Sequence, residues 1–166
     1  MRKVEVFFDY NCPYCLKGHE QLVELMKEKP ELEIIWHPCE ISEYKNNFSG
    51  KHTDISLQGL FFALENGVDV WRYHEMVYDM IFKDRVYTQD IDAFANAFDG
   101  FLDTAALRQA LKSGKYVDKV KNSNQFAFKK TGVHVVPTYR ADGGYLQDRQ
   151  EFYGMGHSDT SYGGTK

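Results

Sequence analysis

Two of the three cysteines in this 166-residue chain stand three positions apart, in the stretch Asp9-Tyr10-Asn11-Cys12-Pro13-Tyr14-Cys15. Two thiols at that spacing can clamp a metal ion, close a structural cross-link, or pass two electrons by opening and closing a disulfide. The residues between them bear on the choice. Proline fixes φ near the helical value and is favoured at the first helical position. It also holds the residue before it out of the helical region. Cys12 is therefore expected at the N-cap of a helix and Pro13 in its first turn, with the Cys12 sulfur facing N–H groups that no carbonyl reaches. Those donors and the helix dipole favour negative charge, so Cys12 is expected to ionise more readily than an ordinary thiol. Cys15 falls one turn deeper and more shielded, which suits an attacking thiol followed by a resolving one. Each tenfold shift in such an equilibrium is worth about 30 mV. Pro13 and Tyr14 are thus expected to tune the direction of the couple as well as its spacing.

The other two chemistries stay open as alternatives. A zinc site needs four ligands, and a second Cys-x-x-Cys is absent. His19, His37 and Cys39 complete a set on paper, but His37 and Cys39 would have to leave a strand end to converge. Three cysteines cannot all pair, and cytosolic disulfides are more often transient than structural. His74, inside an apolar stretch, and His134, three residues before Pro137, read as packing or edge residues. His134 would modulate Cys12 electrostatically only if the two segments meet.

The elements that must position these residues follow from hydrophobic periodicity. Lys3 to Phe8 is short, apolar and rich in β-branched and aromatic residues, hence a buried strand. After the cysteines a helix runs to Pro30 with Leu22, Leu25 and Met26 on one face, and Glu31 to His37 reads as a second strand. Strand, helix and strand with tight connections make a right-handed βαβ unit. From about Thr53 to Lys130 the period turns helical: Leu57, Leu60, Phe61 and Leu64 share one stripe, and Ile91, Phe94, Ala95 and Phe98 another. The segment Asp69 to Arg85 is apolar nearly all round and reads as central. Breaks at Gly67, Gly100 and Ser113-Gly114 divide the block into four or five helices, the last ending at Gly132. Strand character returns after Val133, with Asp142-Gly143-Gly144 as a hairpin turn. Val136-Pro137 stands at the start of that strand, where a proline is tolerated, and most such peptide bonds are trans. The fold class is α/β, a small sheet interrupted by an all-helical insertion.

Composition narrows the function classes. A net charge of −4 with no concentrated basic stretch argues against nucleic acid as a partner. The most basic segment, Lys119 to Lys130, reads as the solvated face of a helix. The longest apolar run, Gly59 to Leu64, is far below the ~20 residues of a spanning helix, so no membrane role is expected. Met1-Arg2-Lys3 leads directly into strand sequence without the pattern of a secretory signal, and a cytoplasmic location is expected. No cofactor is implied.

With both motifs in hand, the chain resembles the DsbA family of thioredoxin-fold proteins, in its FrnE-like branch. Asp9, Cys12, Pro13, Cys15 and Gly18 match the family's Asp-x-x-Cys-Pro-x-Cys-x-x-Gly. Trp36, Pro38 and Glu40 match its Trp-x-Pro-Phe-Glu, and Gly132, Val133, Val136, Pro137 and Thr138 match its Gly-Val-x-Gly-Val-Pro-Thr. The likeness runs from Lys3 to about Phe152. It implies a single thioredoxin-like domain over residues 1–156, carrying a helical insertion at about 53–131, with residues 157–166 as a disordered tail. It implies thiol–disulfide oxidoreductase activity with Cys12 as nucleophile and Cys15 as resolving thiol. It further implies a cis Val136-Pro137 peptide facing Cys12, whose backbone pairs with the substrate chain. Protein or peptide thiols and disulfides, or glutathione, would be the partners.

Three departures stand out. Cys39 replaces the family's Phe and reads as a small buried apolar residue. Val135 replaces a Gly, which would narrow the approach beside the proline. After Gly156 the sequence is polar and aperiodic, so the family's closing helix is expected to be missing, and a homodimer is expected to cover the sheet face that this would expose. Two other functions stand as alternatives: a glutathione-dependent isomerase or transferase of the same fold, in which a Ser at the first position replaces the disulfide chemistry and against which the two cysteines argue, and a non-enzymatic module binding zinc or a partner.

Overall fold

The computed structural model describes residues 2–41, 54–141 and 144–145. Residues 1–47 with 124–166 form one compact unit, and residues 48–123 form another.

The first unit is built on strand β1 (Lys3–Phe8), helix α1 (Pro13–Glu28) and strand β2 (Glu33–Pro38). It is completed by β3 (Thr138–Ala141) and β4 (Gly144–Tyr145). The sheet order is β2-β1-β3-β4. β1 pairs in parallel with β2, from Lys3 opposite Glu33 to Phe8 opposite Pro38. It pairs antiparallel with β3, Phe7 opposite Thr138, and Ala141 of β3 lies opposite Gly144 of β4. Gly144 is thus a strand residue and not part of the turn expected at Asp142-Gly143-Gly144, whose first two residues lie outside the described set. So do the sequence beyond Tyr145, the expected tail and the expected loss of a closing helix.

Alternation along β1 sends Val4, Val6 and Phe8 to the face that α1 covers, all of them buried, together with Leu22 and Leu25 of the helix. Full burial of such a side chain contributes about 1.5–3 kcal/mol. Phe7 and Glu5 face the other way. There Phe7 stacks on His37 at 4.7 Å and on Phe126 at 6.0 Å. Beside this aromatic stack, three adjacent strands each supply a polar side chain. Arg140 donates to both carboxylate oxygens of Glu5, at 2.5 and 2.8 Å, and His37 Nε2 lies 2.9 Å from the same carboxylate. The Arg140 hydrogen bond holds the Glu5 carboxyl below its usual range against the opposing effect of burial.

The second unit is helical: α2 (Ile55–Glu65), α3 (Val70–Phe82), α4 (Ile91–Asn96), α5 (Thr104–Ser113) and most of α6 (Val117–Gln125). The first four begin at Asp54, Asp69, Asp90 and Asp103, whose carboxylates accept from first-turn N–H groups. Gly114, with φ of 70°, closes α5 in the left-handed conformation. The core stacks Tyr73 on Phe98 at 5.2 Å, with Phe94 edge-on to Phe98 at 5.0 Å.

Two expected stripes need correction. In α2 Leu64 is 45% exposed while Phe62 is buried, because nearly every side of this helix meets the core and no single stripe describes it. In α3, read as apolar nearly all round and central, one side meets solvent: Arg72 and Glu75 are exposed and pair with one another at 2.6 Å. Among the described residues no helix is long and apolar enough to cross a membrane.

α6 runs into a five-residue π-helical turn, Phe126–Lys130. Thr131 closes it, its N–H and hydroxyl both donating to the Phe126 carbonyl, at 2.9 and 3.1 Å. The lysines of this segment are solvated, but Val120, Asn124 and Ala127 form a buried stripe at helical spacing.

Candidate active site

The approach to the cysteines is a tight turn of its own making. Asp9 Oδ1 accepts from the backbone N–H of Asn11 at 3.0 Å, an Asx turn, and Cys12 N–H donates to the Asp9 carbonyl at 3.1 Å. Tyr10 is fully buried, edge-on to Phe8 at 5.1 Å. The chain thereby leaves β1 and enters α1 at a defined angle.

Cys12 is the N-cap of α1, with φ −97° and ψ 119°, and Pro13 is the first helical residue. The Cys12 carbonyl accepts from Cys15 N–H at 3.0 Å and Leu16 N–H at 3.3 Å, starting the helix. Its sulfur makes no capping bond to the first-turn N–H groups. It turns instead to the Val136 carbonyl, to which the thiol donates at 3.8 Å. The contact to the proline loop stands in place of the expected capping contact because pairing of β1 with β3 brings that loop beside the sulfur. Cys12 is half-buried, and Tyr14 beside it is 64% exposed.

Cys15 lies one turn further along and is only 2% exposed. The Asp9 N–H donates to its sulfur at 3.5 Å. Burial pushes its pKa well above that of an ordinary thiol; hydrogen bonding to Cys12 and the charges of Cys12 and Asp9 add to this, and the Asp9 N–H partly opposes it. The two sulfurs thus differ in access. None of the three cysteines is in a disulfide in this structure.

Behind the pair lies a buried polar cluster. Cys39, at the end of β2, is 0% exposed and donates its N–H to the Phe8 carbonyl at 2.8 Å. Burial, then the charges of Asp9, Glu40 and Cys12, raise its pKa well above the usual value. Glu40 and Asn124 clasp each other: Glu40 N–H donates to Asn124 Oδ1 and Asn124 Nδ2 to Glu40 Oε1, both at 2.8 Å. Asn124 was hidden in a segment read as solvated, although its spacing from Val120 and Ala127 carried the signal of a buried stripe.

The other side of the site comes from the segment before β3. Gly132 adopts φ of 68°, and the Val136-Pro137 peptide is cis. Thr138 Oγ1 donates to the Val135 carbonyl at 2.6 Å, bracing the loop. Val136 and Pro137 are buried and Val135 is half-buried. Pairing of Phe7 with Thr138 is what carries this loop to Cys12, 124 residues away in sequence.

The described histidines fall elsewhere. His19 is buried on α1, and burial pushes its pKa down to about 4. His37 belongs to the Glu5 cluster, and burial lowers its pKa despite that neighbour. His74 is buried in the helical unit. His134 is exposed, its Nδ1 3.4 Å from the Gly132 carbonyl. Among the described residues no group of three or more His, Cys, Asp or Glu side chains is arranged to hold a metal ion.

Comparison with known proteins agrees with this architecture. A relative in Bacillus subtilis, the uncharacterized protein YwbO, is 23% identical over 171 residues, spanning 82% of this chain and 84% of that protein. A probable DsbA oxidoreductase of Streptomyces coelicolor matches with a TM-score of 0.71 at 17% identity, over 93% of this chain and 88% of that one. Reduced DsbA1 of Neisseria meningitidis gives 0.67 at 15% identity, over 93% and 80%. Pseudomonas aeruginosa DsbA gives 0.63 at 22% identity, over 87% and 71%. Likeness at such identities is likeness of fold. The sequence profile of the DSBA-like thioredoxin domain matches residues 3–159, nearly the whole chain. Sequence match, strand order and shared fold together place this chain in the DSBA-like thioredoxin domain family.

Proposed function

We propose that the protein is a thiol–disulfide oxidoreductase acting through Cys12 and Cys15. The observation that carries this reading is the asymmetry of the pair: a half-buried Cys12 at a helix N-cap, and a buried Cys15 one turn behind it. The helix N-terminus favours the Cys12 thiolate. That thiolate attacks one sulfur of a substrate disulfide, forming a mixed disulfide and expelling the other substrate sulfur as a thiolate, which takes up a proton. Cys15 then gives up its proton and attacks the Cys12 sulfur. The second substrate thiol leaves and the Cys12–Cys15 disulfide remains. Two electrons have passed from the protein to the substrate, and the reverse sequence oxidises a substrate dithiol.

Substrates of this reading are protein or peptide disulfides, with glutathione as a small-thiol partner. The Val136 carbonyl supports a peptide. In the dithiol it accepts from Cys12, but Cys12 in a mixed disulfide has no hydrogen to donate. The carbonyl is then released to accept an N–H of the substrate chain, a short β-augmentation. Exposed Tyr14 offers an apolar surface beside the same sulfur.

The test is insulin reduction by the protein and by its Cys12→Ser and Cys15→Ser variants. Cys12→Ser is expected to lose activity entirely, and Cys15→Ser to trap mixed disulfides. Full activity in both would refute the reading, and glutathione turnover without disulfide exchange would point to the isomerase chemistry instead.

A further inference from the structure

Six residues along α1 from Cys12, the helix meets the proline loop a second time. Gly18 is buried, on the same face as Cys15 and Leu22. A methyl group built on its Cα would lie 2.6 Å from the Tyr139 hydroxyl oxygen and 3.2 Å from Cγ of Pro137. The first separation is closer than any real carbon contact, and the second leaves only a few tenths of an ångström to give. Tyr139 itself is buried, paired across β1 with Val6, so its ring has little room to turn away.

Helix and loop therefore touch at two points. One is the Cys12 thiol on the Val136 carbonyl; the other is the bare Cα of Gly18 against Pro137 and Tyr139. At about 1.5 Å of rise per residue, the points are roughly 9 Å apart along the helix. A helix of this length is stiff, and widening one contact rotates the other.

We propose that Gly18 is a positioning residue: its lack of a side chain sets the spacing between Cys12 and the Val136 carbonyl, with the Tyr139 hydroxyl as the gauge. The proposal rests on the redox reading above and adds a residue outside the dithiol to it. A Cβ at position 18 lifts α1 from the loop. Cys12 then loses its carbonyl partner in the dithiol, and its sulfur is misplaced for a substrate lying along Val136.

The experiment compares the wild-type chain with Gly18→Ala, Tyr139→Phe and the double variant. The readouts are the equilibrium of the Cys12–Cys15 pair against glutathione, the pH titration of Cys12, and the insulin reduction rate. Gly18→Ala is expected to move the glutathione equilibrium at least threefold and to slow reduction about tenfold. Tyr139→Phe removes the closer of the two atoms that the new methyl would meet, leaving the milder approach to Pro137 Cγ at 3.2 Å, so Gly18→Ala added to it is expected to move the equilibrium less than twofold. A folded Gly18→Ala with wild-type equilibrium, titration and rate overturns the proposal. So does a double variant as perturbed as the single one. Should Gly18→Ala fail to fold, the double variant decides: behaviour near that of Tyr139→Phe upholds the proposal, and a shifted equilibrium or loss of folding overturns it. A wild-type chain that forms no Cys12–Cys15 disulfide removes the redox reading itself, an outcome seen before any variant is compared.

Discussion

The helices of the two units begin in different ways. In the helical unit α2, α3, α4 and α5 each start from an aspartate whose carboxylate bonds to the first turn: Asp54 to Leu57, Asp69 to Trp71 and Arg72, Asp90 to Ala93, Asp103 to Ala106. In the other unit α1 starts from Cys12, with no capping bond from its side chain and no acidic residue in its first turn. A cap of the aspartate kind is worth about 1 kcal/mol, and its charge offsets the positive end of the helix. The difference teaches where the chain forgoes local stability. Four helix starts are neutralised for structure, while the fifth keeps its N–H groups and its field for whatever charge the sulfur carries.

Three changes break or sharpen that contrast. The largest is Cys12→Asp, which gives α1 the start that its counterparts have. Disulfide exchange is expected to vanish while the urea midpoint rises, by the equivalent of about 1 kcal/mol. An Asp variant no more stable than the parent would mean that the open helix end has no cost. The next is acid. His19 titrates near 4 in the fold and near 6.5 when unfolded, so the unfolded chain binds its proton first as pH falls. Stability from this group is complete above about pH 6.5 and is lost as pH drops through 4, on the order of 3 kcal/mol. His37, also lowered by burial, acts in the same direction. Denaturation followed from pH 7 to 4 measures the slope, and His19→Leu is expected to flatten it. The smallest is Asp103→Ala. Loss of the bond to Ala106 should cost about 1 kcal/mol in thermal or urea unfolding and leave the glutathione equilibrium unchanged. A shifted equilibrium in that variant would mean that the caps and the dithiol are not independent.

Much of the site-bearing framework was legible in the amino-acid order. Pro13 fixed where α1 begins, the short apolar run from Lys3 to Phe8 marked a buried strand, and the pair of thiols announced itself by spacing. These signals are local, carried within one turn or one strand. The contacts that were not legible act at long range. Nothing near Gly18 in sequence says that Tyr139 comes within 2.6 Å of where its side chain would be, since that follows from β1 pairing with β3. Asn124 sits among lysines, and only its helical offset from Val120 and Ala127 reveals a buried amide. Leu64 misled for the opposite reason: it completes a tidy stripe on a helix whose burial obeys no single stripe.

The placement of β1 between β2 and β3 has a temporal consequence. The dithiol is encoded within the first fifteen residues, whereas Val136, its partner across the site, comes 124 residues after Cys12. At roughly 5–20 residues per second of synthesis, the sulfurs emerge from the ribosome some 6–25 seconds before the loop that will flank them exists. Throughout that lag the two sulfurs lack the Val136 carbonyl and the antiparallel strand that flank them in the fold.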